Sequence, residues 1–191
     1  MFKTVKDGKM PTKGSEFSAC VDLYAREDIE VKPSETTLIP LGVCLDLSKL
    51  KELKYDSFDT EDELEKWMIE FKKSHYVQLM LRSSLSKKLI IANGVGIIDI
   101  DYEDEMMIRV HNPLTQDLTS IISLAFASAS AVLDETNEHG DKMNKIEKEK
   151  TVTIKKGDRV AQIALLNHNT DLFGITSDEK RVGGFGSTGK N

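Results

Sequence analysis

The sequence has little of several features that define specialised protein classes. Only two of its 191 residues are cysteine, Cys20 and Cys44, and they form no CxxC pair, which argues against a disulfide-stapled secreted domain. Positive charge is not in excess, because 26 lysines and arginines against 32 aspartates and glutamates give a net charge of −6. A dedicated nucleic-acid or anionic-membrane binder would be basic, so we expect neither nucleic acid nor a membrane as a partner.

Long apolar runs are also missing. The longest mildly apolar stretch, residues 118–133, contains several serines and threonines and is shorter than the ~20 apolar residues that a membrane-spanning helix needs. The first residues do not form a charged and then apolar leader, so we expect a cytoplasmic, reducing location. Hydrophobic residues make up 39% and charged residues 30%, which is the composition of a soluble globular protein.

Most of the chain is predicted to form short strands. Residues 36–47 are β-branched and aliphatic, and their side chains alternate, with Val43 and Leu45 on one side and Cys44 on the other. Similar alternation occurs in residues 105–110 and 160–166, and a turn at residues 156–158 precedes the second of these segments. Strands joined by short turns favour a sandwich or barrel, and we expect residues 1–191 to form one domain.

One segment, about residues 48–76, departs from this pattern and is predicted to be partly helical. Thr60 and Glu63 have the spacing of a capping box, in which each side chain satisfies a free backbone N–H at a helix start. Apolar residues then follow at helical spacing and form one stripe: Leu64, Trp67, Met68 and Phe71. The stripe would pack on the body of its own domain or offer a surface to a partner, and the sequence leaves both open.

A second segment, about residues 115–149, begins with small apolar residues and ends in a charged run. Loops of this length are usually functional or disordered, and the sequence does not choose between the two. This segment and residues 48–76 lie between the chemical motifs rather than within them. A protein partner could therefore bind either segment without displacing a chemical residue.

Four short motifs carry residues suited to phosphate and nucleotide chemistry. They are Leu81 to Leu85, the stretch from Asn93 to Tyr102, Gly157 to Ile163, and the glycine-rich tail from Arg181 to Lys190. A guanidinium fork matches phosphate oxygens, and glycines let a backbone approach them closely. On an extended strand Asp99 and Asp101 would share a face, and one of them could act as a general base.

Each motif alone also has a simpler interpretation. A surface arginine near a helix cap, a hairpin end rich in aspartate, and a flexible terminus are all common. Together and in this order, with a fifth match at residues 19–25 (ACVDLYA), the motifs resemble those of the trimeric dUTPase family. That resemblance spans residue 19 to the C-terminus and is specific as a set.

The resemblance implies a fold, an assembly and a reaction. The fold is all-β, a jelly-roll-like β-barrel of the dUTPase type with a short helical insertion, and the chain would form a homotrimer with active sites shared between subunits. The reaction is the hydrolysis of dUTP to dUMP and pyrophosphate, which keeps uracil out of DNA and supplies dUMP for thymidylate synthesis. The segments at about 48–76 and 115–149 would be insertions relative to compact family members.

The resemblance also implies a role for individual residues. Asp99 would be the general base that activates the water attacking the α-phosphate. Asn93 and the backbone from Gly96 to Ile98 would read the uracil edge, and Tyr102 would pack on the deoxyribose and exclude a 2′-hydroxyl. The phosphate contacts would be Arg82, Ser83, Ser84 and Gln162. A C-terminal arm, residues 180–191, would close the site and contribute Arg181, Phe185, Gly186, Ser187 and Thr188.

Mg²⁺ is the cofactor that the resemblance implies, held mainly by the triphosphate and linked to Asp22 through water. One departure concerns the arm, because Lys180 stands five residues before Phe185, where the family has arginine, and Arg181 stands four before it. Either residue could take the γ-phosphate role. Two rival functions are a dCTP deaminase of the same fold and a regulatory binding protein, and the intact Asp99 and Phe185 favour a catalytic dUTPase.

Overall fold

The computed structural model describes residues 1–113, 148 and 150–175. Its strand-rich architecture confirms the predicted all-β class, with two α-helices between the sixth and seventh strands. No helix in these ranges is long and apolar enough to cross a bilayer. The strands are β1 (Phe2–Thr4), β2 (Thr12–Lys13), β3 (Val21–Tyr24), β4 (Ile29–Val31), β5 (Thr36–Pro40), β6 (Val43–Leu45), β7 (His75–Leu81), β8 (Ile90–Ile91), β9 (Gly96–Asp99), β10 (Met107–His111), β11 (Val152–Ile154) and β12 (Arg159–Asn167). The helices are α1 (Leu47–Lys54) and α2 (Glu61–Ser74), with 3₁₀ turns at Tyr55–Ser57 and Thr170–Phe173.

Antiparallel pairing organises the strands into one large sheet and three smaller ones. The large sheet has the order β2-β3-β12-β7-β9, and a second sheet has the order β5-β10-β8. Strands β1 and β6 form one further pair, and β4 and β11 form another. Aliphatic side chains from all four sheets meet in a single core, among them Leu23, Ile39, Val77, Ile108 and Ile163. Strand β7 is therefore internal to the large sheet, whereas β9 lies at its edge.

The segment 36–47 forms two strands, β5 and β6, which lie in different sheets. The chain bends at Gly42, whose φ is +65° and whose backbone lies against Gly8. A Cβ at Gly42 would lie 2.4 Å from the Gly8 Cα, so a side chain would not fit there. The predicted alternation fails, since Cys44 is as buried as its neighbours. Strand β6 is covered on both faces.

Helix α2 begins at the capping box that the sequence indicated. The Thr60 hydroxyl accepts a hydrogen bond from the Glu63 backbone N–H at 3.3 Å, and the Glu63 carboxylate accepts from the Thr60 N–H at 3.3 Å. Three acidic residues occupy its first turn and two lysines its last, which suits the helix dipole. Lys51 of α1 forms ion pairs with Glu61 and Glu65 of α2, so the two helices are joined at their exposed side.

The apolar stripe of α2 faces the body of the chain. Leu64, Met68 and Phe71 are buried in the common core. Trp67 is half-buried between the rings of Phe58 and Phe71, at centroid distances of 5.7 and 5.3 Å. Of the two alternatives that the sequence left open, packing on its own domain is therefore the one observed for this stripe. The helix then continues directly into β7 without a loop.

The burial of this stripe leads to a stability prediction. Phe71→Ala should lower the free energy of unfolding by about 3–5 kcal/mol, because it removes a side chain that is only 6% exposed. Ile69→Ala, on the solvent side of the same helix and 48% exposed, should cost less than about 1 kcal/mol. Denaturant unfolding followed by the fluorescence of Trp67, the single tryptophan, measures both variants. Equal losses would contradict the observed orientation of α2.

Candidate active site

The structure brings three of the predicted site residues together at one corner of the large sheet. Asp22 lies on β3, and its cross-strand partner on β12 is Gln162. Arg82 follows directly after β7, and its backbone N–H donates to the carbonyl of Val160 at 3.1 Å. The Arg82 Nε donates to Asp22 Oδ1 at 3.0 Å. Antiparallel pairing of β3, β12 and β7 thus converts three distant sequence motifs into one cluster.

A second arginine, Arg159, completes this corner. Its Nη1 lies 3.2 Å from Asp22 Oδ2, so each oxygen of the Asp22 carboxylate holds one guanidinium group. The Asp22 side chain is only 12% exposed, and an unpaired carboxylate in that position would be costly. The three charges sum to +1, and the Arg159 side chain remains 51% exposed. The exposed part of the Arg159 guanidinium therefore presents a cation to solvent at this corner.

The sequence interpretation missed Arg159. In the segment from Gly157 to Ile163, the motif predicted a role only for Gln162. The sequence signal for it was a cation, Arg159, three residues before Gln162. Three is an odd number, and on a regular strand such a spacing places the two side chains on opposite faces. The β-bulge between Arg159 and Ala161 changes the register of β12 at that point. Beside this irregularity, Arg159 contacts Asp22, a contact that sequence spacing alone does not reveal.

A pocket of about 280 Å³ opens beside the two arginines. Its lining includes Arg82, Ser84, Thr153, Asp158 and Arg159. Ser83 and Ser84 are both exposed in the turn that follows Arg82. That turn is held by backbone hydrogen bonds from the N–H groups of Leu85 and Ser86 to the Arg82 carbonyl, both at 3.0 Å. Guanidinium groups and hydroxyls beside an open pocket suit the oxygens of a phosphate chain.

The second group of predicted residues lies along β9 and the turn after it. Asn93 is exposed in the loop before β9, where its Nδ2 donates to the Val95 carbonyl at 3.5 Å. Gly96 packs on β7, and a Cβ there would lie 2.9 Å from the Leu79 Cβ. The side chain of Ile98 points into the core, so that only its backbone faces outward. Within the described residues β7 is the strand that pairs with β9, which is therefore the edge strand of this sheet.

The predicted shared face of Asp99 and Asp101 is wrong. Strand β9 ends at Asp99, and the next residues form a turn that closes with a hydrogen bond from the Tyr102 N–H to the Asp99 carbonyl at 3.0 Å. An alternation argument applies only to extended backbone, and Asp101 lies in the turn. Both carboxylates are exposed. Asp99 alone is placed at the strand end.

Tyr102 is packed into the core at the end of this turn and is 7% exposed. Its hydroxyl donates to the backbone carbonyl of Glu105 at 3.2 Å. Burial raises the pKa of Tyr102 above its ordinary value, and the nearby carboxylates of Asp104 and Glu105 act in the same direction. The ring is therefore held in one position. Little of its surface is exposed in a single copy of the chain, so little is accessible to a ligand there.

The two groups of residues lie at opposite ends of β7. Asp99 is the cross-strand partner of Tyr76, near the start of that strand, whereas Arg82 follows its last residue. Six residues of extended chain separate Tyr76 from Arg82, which is ~20 Å at ~3.3 Å per residue. One copy of the chain therefore does not bring Asp99 to the arginine corner, the cluster of Asp22, Arg82 and Arg159.

Several predicted residues lie outside the described ranges. These are Lys180 and the arm residues Arg181, Phe185, Gly186, Ser187 and Thr188, together with nearly all of the segment at about 115–149. Within the described ranges no group of three or more histidine, cysteine, aspartate or glutamate side chains is arranged to hold a metal ion. Asp22 faces two cations rather than further carboxylates, so this donor set does not fit a protein-held Mg²⁺.

Comparison with known proteins gives relatives of one kind. No family model matches the chain. The deoxyuridine 5′-triphosphate nucleotidohydrolase of Candida albicans is 28% identical over 190 residues, which cover 96% of this chain and 83% of that protein. The nucleotidohydrolase of the same name from Serratia proteamaculans is 25% identical and covers 97% of this chain and 90% of its own length.

Solved structures give the same result for the fold. The dUTPase from Streptococcus mutans has a TM-score of 0.51 at 19% identity, covering 87% of this chain and 94% of that one. A Staphylococcus bacteriophage 80alpha dUTPase with dUpNHpp has a TM-score of 0.56 at 18% identity, covering 100% of this chain and 91% of that one. The chain therefore shares the fold of these structures, as its motifs predicted.

The environment of Tyr102 predicts a pH dependence of stability. Its pKa is raised in the folded state, so above a pH of about 10 the unfolded chain loses this proton first and the free energy of unfolding falls. Tyr102→Phe lacks the proton and should show a shallower decline between about pH 9 and 11. Denaturant unfolding of both proteins across that range measures the difference. Parallel declines would show that Tyr102 ionises equally in both states.

Proposed function

We propose that this chain, a member of the dUTPase family by its relatives and its fold, hydrolyses dUTP to dUMP and pyrophosphate. The observation that carries the proposal is the arginine corner, in which Asp22 holds Arg82 and Arg159 beside an open pocket. A nucleoside triphosphate brings about four negative charges, which need cationic and N–H partners inside a protein of net charge −6. Ser83, Ser84 and Gln162 lie where they would add further donors.

Asp99 is the group that we propose as general base. An ionised carboxylate within hydrogen-bond reach of a water can draw off its proton as the water attacks phosphorus, an effect typically worth ~10²–10⁴-fold in rate. Its position at the exposed end of β9 supports this role, because a strand end is rigid and open at once. The water would attack the α-phosphorus, the bond to the bridging oxygen would break, and pyrophosphate would leave.

The edge position of β9 suits the recognition of uracil. An edge strand presents unpaired backbone N–H and C=O groups, and the uracil edge carries both acceptors and a donor. The backbone from Gly96 to Ile98 would therefore read the base, assisted by Asn93. Tyr102, fixed by its bond to the Glu105 carbonyl, would limit the space beside the deoxyribose and disfavour a 2′-hydroxyl.

Mg²⁺ belongs to the substrate in this proposal. The Asp22 carboxylate is occupied by two guanidinium groups, so the ion would arrive on the triphosphate and be held by phosphate oxygens and water. A contact from Asp22 would run through water. One relative, the dUTPase of phage phi11 of S. aureus, is described as having a structural Mg(II) ion.

The separation of Asp99 from Arg82 supports a site shared between copies of the chain. The ~20 Å between them along β7 places the proposed base and the proposed phosphate contacts at opposite ends of that strand. We therefore propose a homotrimer in which one subunit supplies Asp99 and its neighbour supplies the arginine corner. The arm, residues 180–191, would close over the nucleotide and contribute Phe185, with Lys180 or Arg181 on the γ-phosphate.

The remaining parts of the proposal concern organisation and surroundings. The whole chain, residues 1–191, would be one dUTPase domain with insertions at about 48–76 and 115–149. Those insertions are the surfaces on which a protein partner would bind without touching the site. We propose a cytoplasmic location, where the dUTP pool and the demand for dUMP are found.

The function is tested by pyrophosphate release from dUTP, dCTP, dTTP and UTP with Mg²⁺. The parent protein should prefer dUTP strongly over UTP. Asp99→Asn keeps the side-chain shape and removes the proton acceptor, so kcat should fall by ~10²-fold or more while dUTP binding survives. The matched control is Asp101→Asn, an equally exposed carboxylate two residues away, which should keep near-parental turnover.

Three results would count against the proposal. Deamination of dCTP without pyrophosphate release from dUTP would favour the deaminase alternative. Nucleotide binding without turnover would favour a regulatory protein. Equal rates for Asp99→Asn and the parent would remove Asp99 as the base while leaving the overall reaction in place.

Mixing two inactive variants tests the shared site. Asp99→Asn and Arg82→Ala each disable every site in their own homotrimer. Co-refolded at equal amounts they should regain activity, since random exchange pairs an intact Asp99 with an intact Arg82 in about one quarter of sites. The measurement is dUTP turnover of the mixture against each variant refolded alone. No recovery, in a mixture shown by native mass to contain hybrids, would mean that each chain supplies both residues.

A further inference from the structure

Tyr102 is attached to the body of the chain through Glu105, three residues later. The Tyr102 hydroxyl donates to the Glu105 backbone carbonyl at 3.2 Å. The N–H of the same peptide group belongs to Met106 and donates to the carbonyl of Val43, on β6, at 2.8 Å. One peptide group therefore connects the Tyr102 hydroxyl to β6.

The carboxylate of Glu105 makes a second attachment, at the bend between β5 and β6. Its Oε1 accepts hydrogen bonds from the Gly42 backbone N–H at 2.8 Å and from Arg26 Nε at 2.7 Å. Gly42 lies against the backbone of Gly8, so this bend has little room to move. The backbone N–H of Arg26 donates to the carbonyl of Pro40 at 3.0 Å, which holds the arginine beside the same bend. The Glu105 side chain is thus bonded to a closely packed part of the chain.

The ion pair of Arg26 and Glu105 is largely shielded from water. The two side chains are 14% and 18% exposed. Charges with so little exposure are weakly screened, and the loss of one partner leaves the other uncompensated. Arg26 also contacts Glu27 at 3.1 Å, but Glu27 is 52% exposed, so this contact is longer and more hydrated. Glu105 is therefore the stronger carboxylate partner of Arg26.

We propose that Glu105, held by Arg26 and Gly42, is a positioning residue for Tyr102 and contributes to the selection of dUTP over UTP. The inference rests on the proposed function, in which Tyr102 limits the space beside the deoxyribose. A side chain rejects an extra hydroxyl only when it does not yield to it, so a firmer attachment gives stronger discrimination. The Glu105 carboxylate acts through its own backbone carbonyl and the Tyr102 hydroxyl, without a contact to the nucleotide.

The experiment measures kcat/KM for dUTP and for UTP with Mg²⁺ and compares the ratio of the two among variants. Glu105→Ala removes the attachment at the bend, and Tyr102→Phe removes the hydroxyl through which that attachment acts. Each should lower the ratio about fivefold, within the ~2–10-fold that one neutral hydrogen bond is worth, because UTP is rejected less. Glu105→Gln keeps an acceptor oxygen for Gly42 and Arg26, so its ratio should stay within about twofold of the parent.

A double variant separates this positioning role from a merely structural one. If Glu105→Ala and Tyr102→Phe interrupt the same series of contacts, the double variant should lower the ratio about fivefold, like either single variant. Independent effects would instead multiply to about 25-fold. The matched control is Glu103→Ala, which removes an exposed carboxylate two residues before Glu105 and should keep the parental ratio.

Three outcomes overturn the inference. A parental ratio in Glu105→Ala would show that the carboxylate does nothing for sugar selection. Multiplied effects in the double variant would show that Glu105 does not act through the Tyr102 hydroxyl. A fall shared equally by Glu103→Ala would assign the effect to the charge of the whole turn. If Glu105→Ala does not fold, Arg26→Ala, which removes one of the two donors to the carboxylate, takes its place in both comparisons.

Failure of this inference is distinguishable from failure of the proposed function. If the parent protein does not release pyrophosphate from dUTP, the proposed reaction is wrong and the role of Glu105 in it falls too. If the parent turns over dUTP but Tyr102→Leu keeps the parental ratio, the reaction stands, whereas the assignment of Tyr102 and this inference are both wrong. If Tyr102→Leu lowers the ratio, the behaviour of Glu105→Ala decides the positioning role by itself.

Discussion

The pairing of β7 on both of its edges is the constraint on which the rest of the structure depends. Strand β12 holds it along seven residues on one side, and β9 holds it along four on the other. Its two buried members, Val77 and Leu79, would be exposed by a slip of one residue, so such a slip is strongly disfavoured. That fixed register places Asp99 at one end of β7 and Arg82 at the other. That separation is the basis on which we propose a site divided between two copies of the chain.

An ion cluster of Asp22, Arg82 and Arg159 lies at the far end of β7. Asp22 joins β3 to Arg82 after β7 and to Arg159 at the start of β12. A nearly buried carboxylate needs such partners, and two adjacent guanidinium groups need a carboxylate between them. The same contacts therefore stabilise the sheet corner and hold two cations beside the pocket. In the proposed function, those cations would also bind the phosphate chain.

Helix α2 adds a further consequence, because it leads into β7 without an intervening loop. Its stripe packs in the common core, and its last turn stacks Phe71 on His75 one residue before Tyr76. The helical segment thus contributes side chains to the common core. Its packing helps to fix the strand end that faces Asp99, so the stability of the segment and the precision of the site are physically linked.

What the sequence determined by itself is local. The capping box of Thr60 and Glu63, the helical stripe and the turn at Gly157 depend on residues a few positions apart, and each has the predicted form. The motif set, read as a family resemblance, also indicated the fold. Contacts between distant residues were decided only by the tertiary structure. Gly8 and Gly42 approach each other where β5 gives way to β6, Arg159 contacts Asp22 across 137 positions, and the register of β7 sets Tyr76 opposite Asp99. Periodicity carries no information about which strand becomes the neighbour of which, because strand order and register depend on the packing of the whole core.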